Sequence, residues 1–285
     1  MYVEKYLLLL HKYPTFTQKQ EVLSSTLYLI PTPVADDAVA TLPLYVTEIV
    51  RRLDVFIVER AKTARHFVKS AGPVKPLQEM IFVEIESRDF PDEAVRVFRE
   101  AVEAGRDIGL MSEAGCPGVA DPGAPIVALA HQAGVRVKPL VGPSSILLAL
   151  MASGMNGQQF SFHGYLSPKR PELSRDLRKL EGQAQQHGST HLFIETPYRS
   201  QMVLEVALES LHPDTMFGVA QDITGQSEMI RSLPVREWKK MKAPALEKLP
   251  AMFMVGKAAQ HSPAVLRNWP DFRGGLHPEL PSDIP

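Results

Sequence analysis

Short apolar runs rich in β-branched residues alternate with longer stretches of helical period along most of this chain, and few folds accept that rhythm. The first runs are TLYLI from Thr26, VFIVE over Val55 to Glu59, IFVEI over Ile81 to Ile85, IGLM over Ile108 to Met111 and VRVKPLV over Val135 to Val141. Between them, Asp92 to Ala104 sets Ala94, Val95, Phe98, Ala101 and Val102 at the spacing of one helix face. Strands alternating with helices predict an α/β fold whose mostly parallel sheet is covered by helices. A second round begins after Gly154 with FSFHGYL, THLFIET, FGVAQDI and PAMFMVG, and Met229 to Ser232 adds a short strand. Helical patterns fill Leu173 to Gln186 and Tyr198 to Ser210. The 285 residues suit two such units at ~150 residues per domain. We therefore expect an N-terminal appendage (1–25), two α/β domains with mostly parallel or mixed sheets (26–154 and 155–260), and an irregular Pro/Gly-rich tail (261–285).

Charge and cysteine usage exclude several classes. With 31 Lys+Arg against 32 Asp+Glu, the chain as a whole has no electrostatic pull on nucleic acid or acidic membrane, leaving only local basic patches. Cys116 is the sole cysteine, so no intramolecular disulfide forms, and no Cys/His cluster has zinc-ligand spacing; a cytoplasmic setting without a metal is expected. The start, MYVEKYLLLLHKYP, has only a short leucine run after Glu4 and no cleavage site, so it does not read as a signal peptide. No apolar run reaches the ~20 residues of a membrane span. The phosphate-binding, dinucleotide and hydrolase signatures G-x-x-x-x-G-K-[ST], G-x-G-x-x-G and G-x-S-x-G are all missing.

Two loops can carry chemistry. SEAGCPGVADPG, Ser112 to Gly123, lies between an apolar strand and a helix, where ligands of open α/β sheets bind, and Gly115 and Gly118 let the backbone come close to a bound molecule. Asp121 reads as the helix N-cap with Pro122 in the first position, Ile126, Val127, Leu129 and Ala130 inward, and Gly134 at the stop. The competing reading is a tight connection with no ligand. In VGPSSILLALMASG, a strand ends at Gly142-Pro143 and a helix opens at Ser144-Ser145, whose free amides and hydroxyls suit a carboxylate; alternatively the serines only cap the helix. Ile146, Leu147, Leu150 and Met151 are expected in the core.

In order, LYLIPTPV, LMSEAGCPGVADPG, VGPSSILLALMASG, FSFHGYLSPK and FIETPYR resemble the motifs of the tetrapyrrole methylase superfamily of S-adenosylmethionine-dependent methyltransferases. The chain is most similar to the branch that methylates a cytidine ribose 2′-hydroxyl of 16S ribosomal RNA, over about Thr26 to Lys257. The resemblance implies two α/β domains with an intervening cleft, a homodimer, and S-adenosyl-L-methionine bound in the cleft. It places cofactor contacts on Pro31, Thr32 and Pro33, on Gly115, Cys116 and Val119, on Ser144, Ser145 and Ile146, on Thr196 and Pro197, and on Val255 and Gly256. Departures fall on the substrate side. The branch's ATPIGN is here PTPVADDA, bringing in Asp36 and Asp37, its AEDTRHT-like stretch is VERAKTARHF, and its histidine in FIETPYR is Tyr198.

The reaction so implied is in-line methyl transfer, in which a hydroxyl nucleophile needs a base. Glu59, Glu113, Glu195 and Asp222 lie at or near strand ends, and Glu59 and Glu195 rank first as catalytic candidates, although surface acids and helix caps are the common fate of such residues. Arg65, Tyr198 and Arg199 are the substrate-binding candidates. Trp238 among the basic residues of RSLPVREWKKMK has the composition of an RNA-contacting surface, or of a solvated helix with one anchoring ring. Three functions follow: a ribosomal RNA methyltransferase, favoured by the branch resemblance and the basic segment Arg60 to Lys69; a small-molecule methyltransferase acting on a tetrapyrrole-like compound, favoured by neutral charge and the Asp36-Asp37 pair; and a catalytically silent S-adenosylmethionine-binding regulatory module.

Overall fold

The computed structural model describes residues 25–258 except 37, 86–91, 242, 243, 245, 247 and 248; the expected appendage (but for Ser25), the tail and Asp37 lie outside the described residues. The first five apolar runs become β1 (Thr26–Ile30), β2 (Val55–Val58), β3 (Ile81–Glu84), β4 (Ile108–Met111) and β5 (Arg136–Pro139), all parallel, in the order β3-β2-β4-β1-β5. Adjacent residues serve opposite faces, as the pleat requires. Tyr28, Ile30, Phe56 and Val58 meet Val46, Ile49 and Val50 of α1 (Leu44–Arg52) and Phe67 and Val68 of α2 (Ala61–Ala71). Leu27, Val55, Ile57 and Leu110 meet Ala94 and Phe98 of α3 (Asp92–Glu103) and Ile126 and Ala130 of α4 (Ala124–Gln132). Burial on both faces explains why β2 and β4 read as unbroken apolar runs. Between two bulky neighbours β4 needs Gly109, since a Cβ there would lie 2.7 Å from Ile30 Cδ1 and 2.9 Å from Phe56 Cδ1.

The second sheet is mixed. It comprises β6 (Phe160–Phe162), β7 (Thr190–Glu195), β8 (Met216–Gln221), β9 (Met229–Pro234) and β10 (Ala251–Gly256), in the order β6-β7-β10-β8-β9. Only β6 and β7 are parallel; β10 runs antiparallel to both β7 and β8. On one face Phe193, Phe217 and Phe253 stack together beneath Leu173, Leu177, Val203, Leu204 and Trp238, supplied by α6 (Arg170–His187), α7 (Ser200–Ser210) and α8 (Val235–Lys240). The other face presents Leu192, Ala220, Met252 and Met254, and it receives Ala149 and Leu150 of α5 (Ser145–Ala152) together with Val34. The helix that follows the first sheet therefore packs on the second. Of the four α5 residues expected in the core, Leu150 is buried and Ile146 packs against the cluster, but Leu147 and Met151 are 51% and 78% exposed. A helix apolar all round carries no sequence mark of its inner face.

Two imidazoles meet inside the second unit: His163 Nε2 and His191 Nδ1 lie 2.9 Å apart, and His191 Nε2 is 3.0 Å from Ser189 Oγ. Burial lowers the pKa of both below the ordinary 6.5, reinforced by Lys179 for His163 and by His163 and His187 for His191. Neutral rings thus favour the folded state above pH 6.5, and that contribution is lost as pH falls through the depressed values. Melting followed by circular dichroism should hold above pH 6.5 and decline below it. A His163→Asn/His191→Asn double variant should decline less steeply; equal slopes would remove the pair from the account.

Candidate active site

The loops at the carboxyl ends of β1, β4 and β5 are stitched to one another by backbone. Thr32 N donates to Gly115 O at 2.9 Å and Gly115 N to Thr32 O at 3.2 Å, while Thr32 Oγ1 donates to Ser112 O at 3.4 Å. Cys116 Sγ reaches Pro143 O at 3.3 Å. Pro31 lies where a side chain on Gly142 would be, for a Cβ at that position would fall 2.2 Å from Pro31 Cβ. Pro31, Thr32, Gly115 and Cys116 are therefore brought into one corner with the Gly142-Pro143 turn. Gly115 and Gly118 take φ of +79° and +82°, which a side chain would strain, and Val119 is 49% exposed on the same loop.

Asp121 does not cap the helix as expected. Its Oδ1 accepts from both Gly118 N and Gly123 N at 2.8 Å, tying the loop into a ring, and α4 starts at Ala124 with Gly123 as its N-cap and Pro125 in its first turn. Burial pushes the Asp121 carboxyl up, aided by the nearby Glu59 charge and opposed by the two amide bonds. Burial, with Asp121 nearby, also pushes the Cys116 thiol up. At the third corner Ser144 is the N-cap of α5 without a side-chain cap bond. The first N–H groups of a helix have no internal partner, and among the described residues no hydrogen bond reaches those of Ser145 and Ile146. Val34 and Ile146 lead from these loops onto the apolar cluster with Met252, Ala220 and Ile223, which Ile194 also joins.

The second sheet contributes the turn after β7. Glu195 is 1% exposed, and both its oxygens are taken: Oε1 accepts from Thr196 N (2.7 Å) and Thr196 Oγ1 (3.1 Å), and Oε2 pairs with Arg199 Nη2 (3.1 Å). Arg199 Nη2 also donates to Ser167 O at 3.0 Å, and its Nε is buried without a partner. Tyr198 is 86% exposed beside this knot, and Pro197 lies between it and Thr196. Glu59, at the end of β2, accepts from Glu113 N at 2.9 Å through Oε2; among the described residues no hydrogen bond reaches Oε1. Glu113 in turn pairs with Arg60 at 3.3 Å.

Several expected residues lie elsewhere. Val255 and Gly256 are buried in β10 and, by the antiparallel register, pair with His191 and Met216, at the opposite end of the sheet from Glu195, which pairs with Ala251. A Cβ on Gly256 would meet Met155 Sδ at 2.8 Å, so that end is plugged. They share no site with Thr196. The Arg65 guanidinium lies over the Phe82 ring, 5.0 Å from its centroid, on edge strand β3. The Asp222 carboxylate folds into its own loop, accepting from Ser227 N at 2.8 Å. Trp238 is fully buried and donates from Nε1 to Phe217 O at 2.8 Å, so it anchors the core and offers no surface to RNA. Val34 and the methionine face join the apolar cluster without being marked as functional in the sequence, where the only signal of that face is the Met-rich PAMFMVG strand. Among the described residues no group of His, Cys, Asp and Glu could hold a metal ion, and no helix is long and apolar enough to cross a membrane.

Residues 26–238 match the family described as Tetrapyrrole (Corrin/Porphyrin) Methylases. The chain belongs to the tetrapyrrole methylases. As a member of that family it is a methyltransferase that uses S-adenosyl-L-methionine. Among curated proteins it is similar to ribosomal RNA small subunit methyltransferase I of Vibrio cholerae, 28% identical over 211 residues that span 74% of this chain and 69% of the relative. The enzyme of the same name from Neisseria meningitidis is also 28% identical, over 216 residues, 76% of this chain and 70% of the relative. The crystal structure of the methyltransferase CobJ shares the fold, with a TM-score of 0.54 at 20% identity, covering 84% of this chain and 95% of that one. The residues present suit the tetrapyrrole-methylase cofactor: the α5 amides and glycine corner offer polar backbone groups to an amino-acid tail, and the half-buried Val34, Ile146 and Ile194 offer apolar surface to a nucleoside.

Proposed function

We propose that this tetrapyrrole methylase methylates a ribose hydroxyl of ribosomal RNA, acting in the cytoplasm as a homodimer whose subunits fold as domains 26–154 and 155–260 around the cofactor. The observation that carries this reading is the similarity to relatives named for methylating the small ribosomal subunit's RNA, together with the branch motifs of the sequence. Pro31–Pro33, Gly115, Cys116, Val119, Ser144–Ile146, Thr196 and Pro197 hold the cofactor. S-adenosylmethionine supplies a methyl group activated by its sulfonium. The protein's part is orientation, water exclusion and proton removal. Glu59 accepts the hydroxyl proton: its backbone N–H is bound to Met111 O and its Oε2 to Glu113 N, which fixes it beside the glycine corner with Oε1 free of any donor among the described residues, whereas both Glu195 oxygens are committed. Glu195 and Arg199 instead hold the turn that presents Tyr198 to the substrate.

Incubation with methyl-labelled S-adenosylmethionine and small ribosomal subunits should place label on a 2′-oxygen of the RNA. Glu59→Gln, which keeps an acceptor for Glu113 N–H, should lower kcat by roughly a hundredfold with cofactor affinity unchanged. Label appearing on a porphyrinogen-type tetrapyrrole and not on RNA would overturn the substrate; unchanged kcat in the variant would overturn the base.

A further inference from the structure

The acids and bases of α6 are not treated alike. Glu172 accepts from Ser167 Oγ at 2.6 Å, Asp176 from Ser167 N at 3.1 Å, and Glu181 from His212 N at 2.8 Å. Arg170 pairs with Glu205 and Glu209 of α7. Arg175, Arg178 and Lys179, by contrast, are exposed and have neither ion pair nor hydrogen bond among the described residues. Three and four apart, they share one face. A merely solvated helix face intersperses charges of both signs, whereas here each of Glu172, Asp176 and Glu181 is held by a hydrogen bond from a neighbouring segment and the three cations stand out without a partner among the described residues.

Beside this face lies a hollow of about 240 Å³ whose polar lining is Lys179, His163, Tyr165, Ser167, Gln183 and Asp176, the last with its Oδ2 bound by Ser167 N. Tyr165 is 62% exposed and leaves the sheet edge directly after Gly164, whose carbonyl accepts from Ile194 N at 2.9 Å. Through Ser167 O the Arg199 brace ties this loop to the turn carrying Tyr198. Two exposed tyrosines thus emerge from neighbouring strand ends of one sheet, next to a row of unpaired cations. Phosphates match the cations, and bases freed from a duplex match the ring faces, because stacking on aromatics requires unstacked bases.

We propose that Arg175, Arg178 and Lys179 of α6, with Tyr165 and Tyr198, form the docking surface for an unpaired stretch of RNA, its phosphates on the helix and its bases on the rings. This rests on the RNA reading above. The test compares wild type with the Arg175→Glu/Arg178→Glu/Lys179→Glu variant, Tyr165→Ala and Tyr165→Phe. It measures binding of a single-stranded RNA oligomer against salt, KM for small ribosomal subunits, and cofactor affinity. The charge reversal should weaken oligomer binding at least ~10-fold and flatten the salt slope by roughly 2, at about 0.7 per phosphate lost. Tyr165→Ala should raise the KM about tenfold, Tyr165→Phe should restore it, and cofactor affinity should stay constant throughout, which also shows that each variant folds. Unchanged oligomer affinity and slope in the charge reversal, with wild type methylating RNA, overturns the surface alone. Equal competition by a duplex of the same sequence overturns the stacking role. Wild type that neither binds nor methylates RNA overturns the RNA reading and the surface with it.

Discussion

Gly142→Ala is expected to weaken S-adenosylmethionine binding by at least tenfold, about 1.4 kcal/mol or more. The new methyl would lie 2.2 Å from Pro31 Cβ and 2.3 Å from Cγ, and a proline ring cannot rotate away. Overpacking of this kind costs about 1–3 kcal/mol, and here relief comes only by parting the β1 and β5 loops. Parting them spoils the corner in which Thr32 and Gly115 exchange backbone bonds. Gly134→Ala is the control. Its φ is +70°, so alanine is strained there, but a Cβ meets nothing within 4 Å. That variant should lose stability, roughly 1 kcal/mol, with cofactor affinity intact. Titration calorimetry decides: wild-type affinity in Gly142→Ala would separate the cofactor from this corner.

Glu195→Ala should be among the most destabilising single changes in the second unit. It strands Arg199, whose Nε is already buried without a partner, and takes the acceptor from Thr196 N–H. Removing one partner of a buried ion pair costs about 3–5 kcal/mol, and a chain of this size loses roughly 2–4 °C of Tm per kcal/mol, so the melting point should fall by about 10 °C. Glu195→Gln keeps an acceptor for Thr196 and should fall less. The same variant separates brace from base. A brace leaves kcat within about tenfold, whereas loss of a proton acceptor costs ~10²–10⁴. Glu195→Gln with wild-type melting and a kcat lowered a thousandfold would return Glu195 to catalysis.

The strands were legible because covered parallel strands have no polar face, as in Val55–Val58 and Ile108–Met111. The loop corners were legible too, since Gly115 stands where the backbone takes a positive φ and Gly142 where the Pro31 ring leaves no room for a side chain. Asp121 was misread for a chemical reason: aspartate before proline is the signature of a helix start, and the same carboxylate can close a loop upon itself. Val255 and Gly256 went wrong because strand direction is invisible in a sequence; the antiparallel entry of β10 reverses which of its ends faces Thr196. Trp238 was ambiguous because basic neighbours surround a surface ring and a core anchor alike. That both oxygens of Glu195 are occupied depends on Arg199 folding back across the turn between β7 and α7, which no strand pattern reveals.

The position of β10 has a consequence for biosynthesis. Among the described residues, the last strand of the second sheet to leave the ribosome lies between two made earlier, β7 and β8. Until residue 256 has been translated and has cleared the exit tunnel, those strands have an open seam between them, with unsatisfied amides that invite pairing with other nascent chains. Release of a chain stopped before Ala251 should therefore yield aggregates rather than a shortened enzyme, and a chaperone that shields strand edges would find its substrate in that interval.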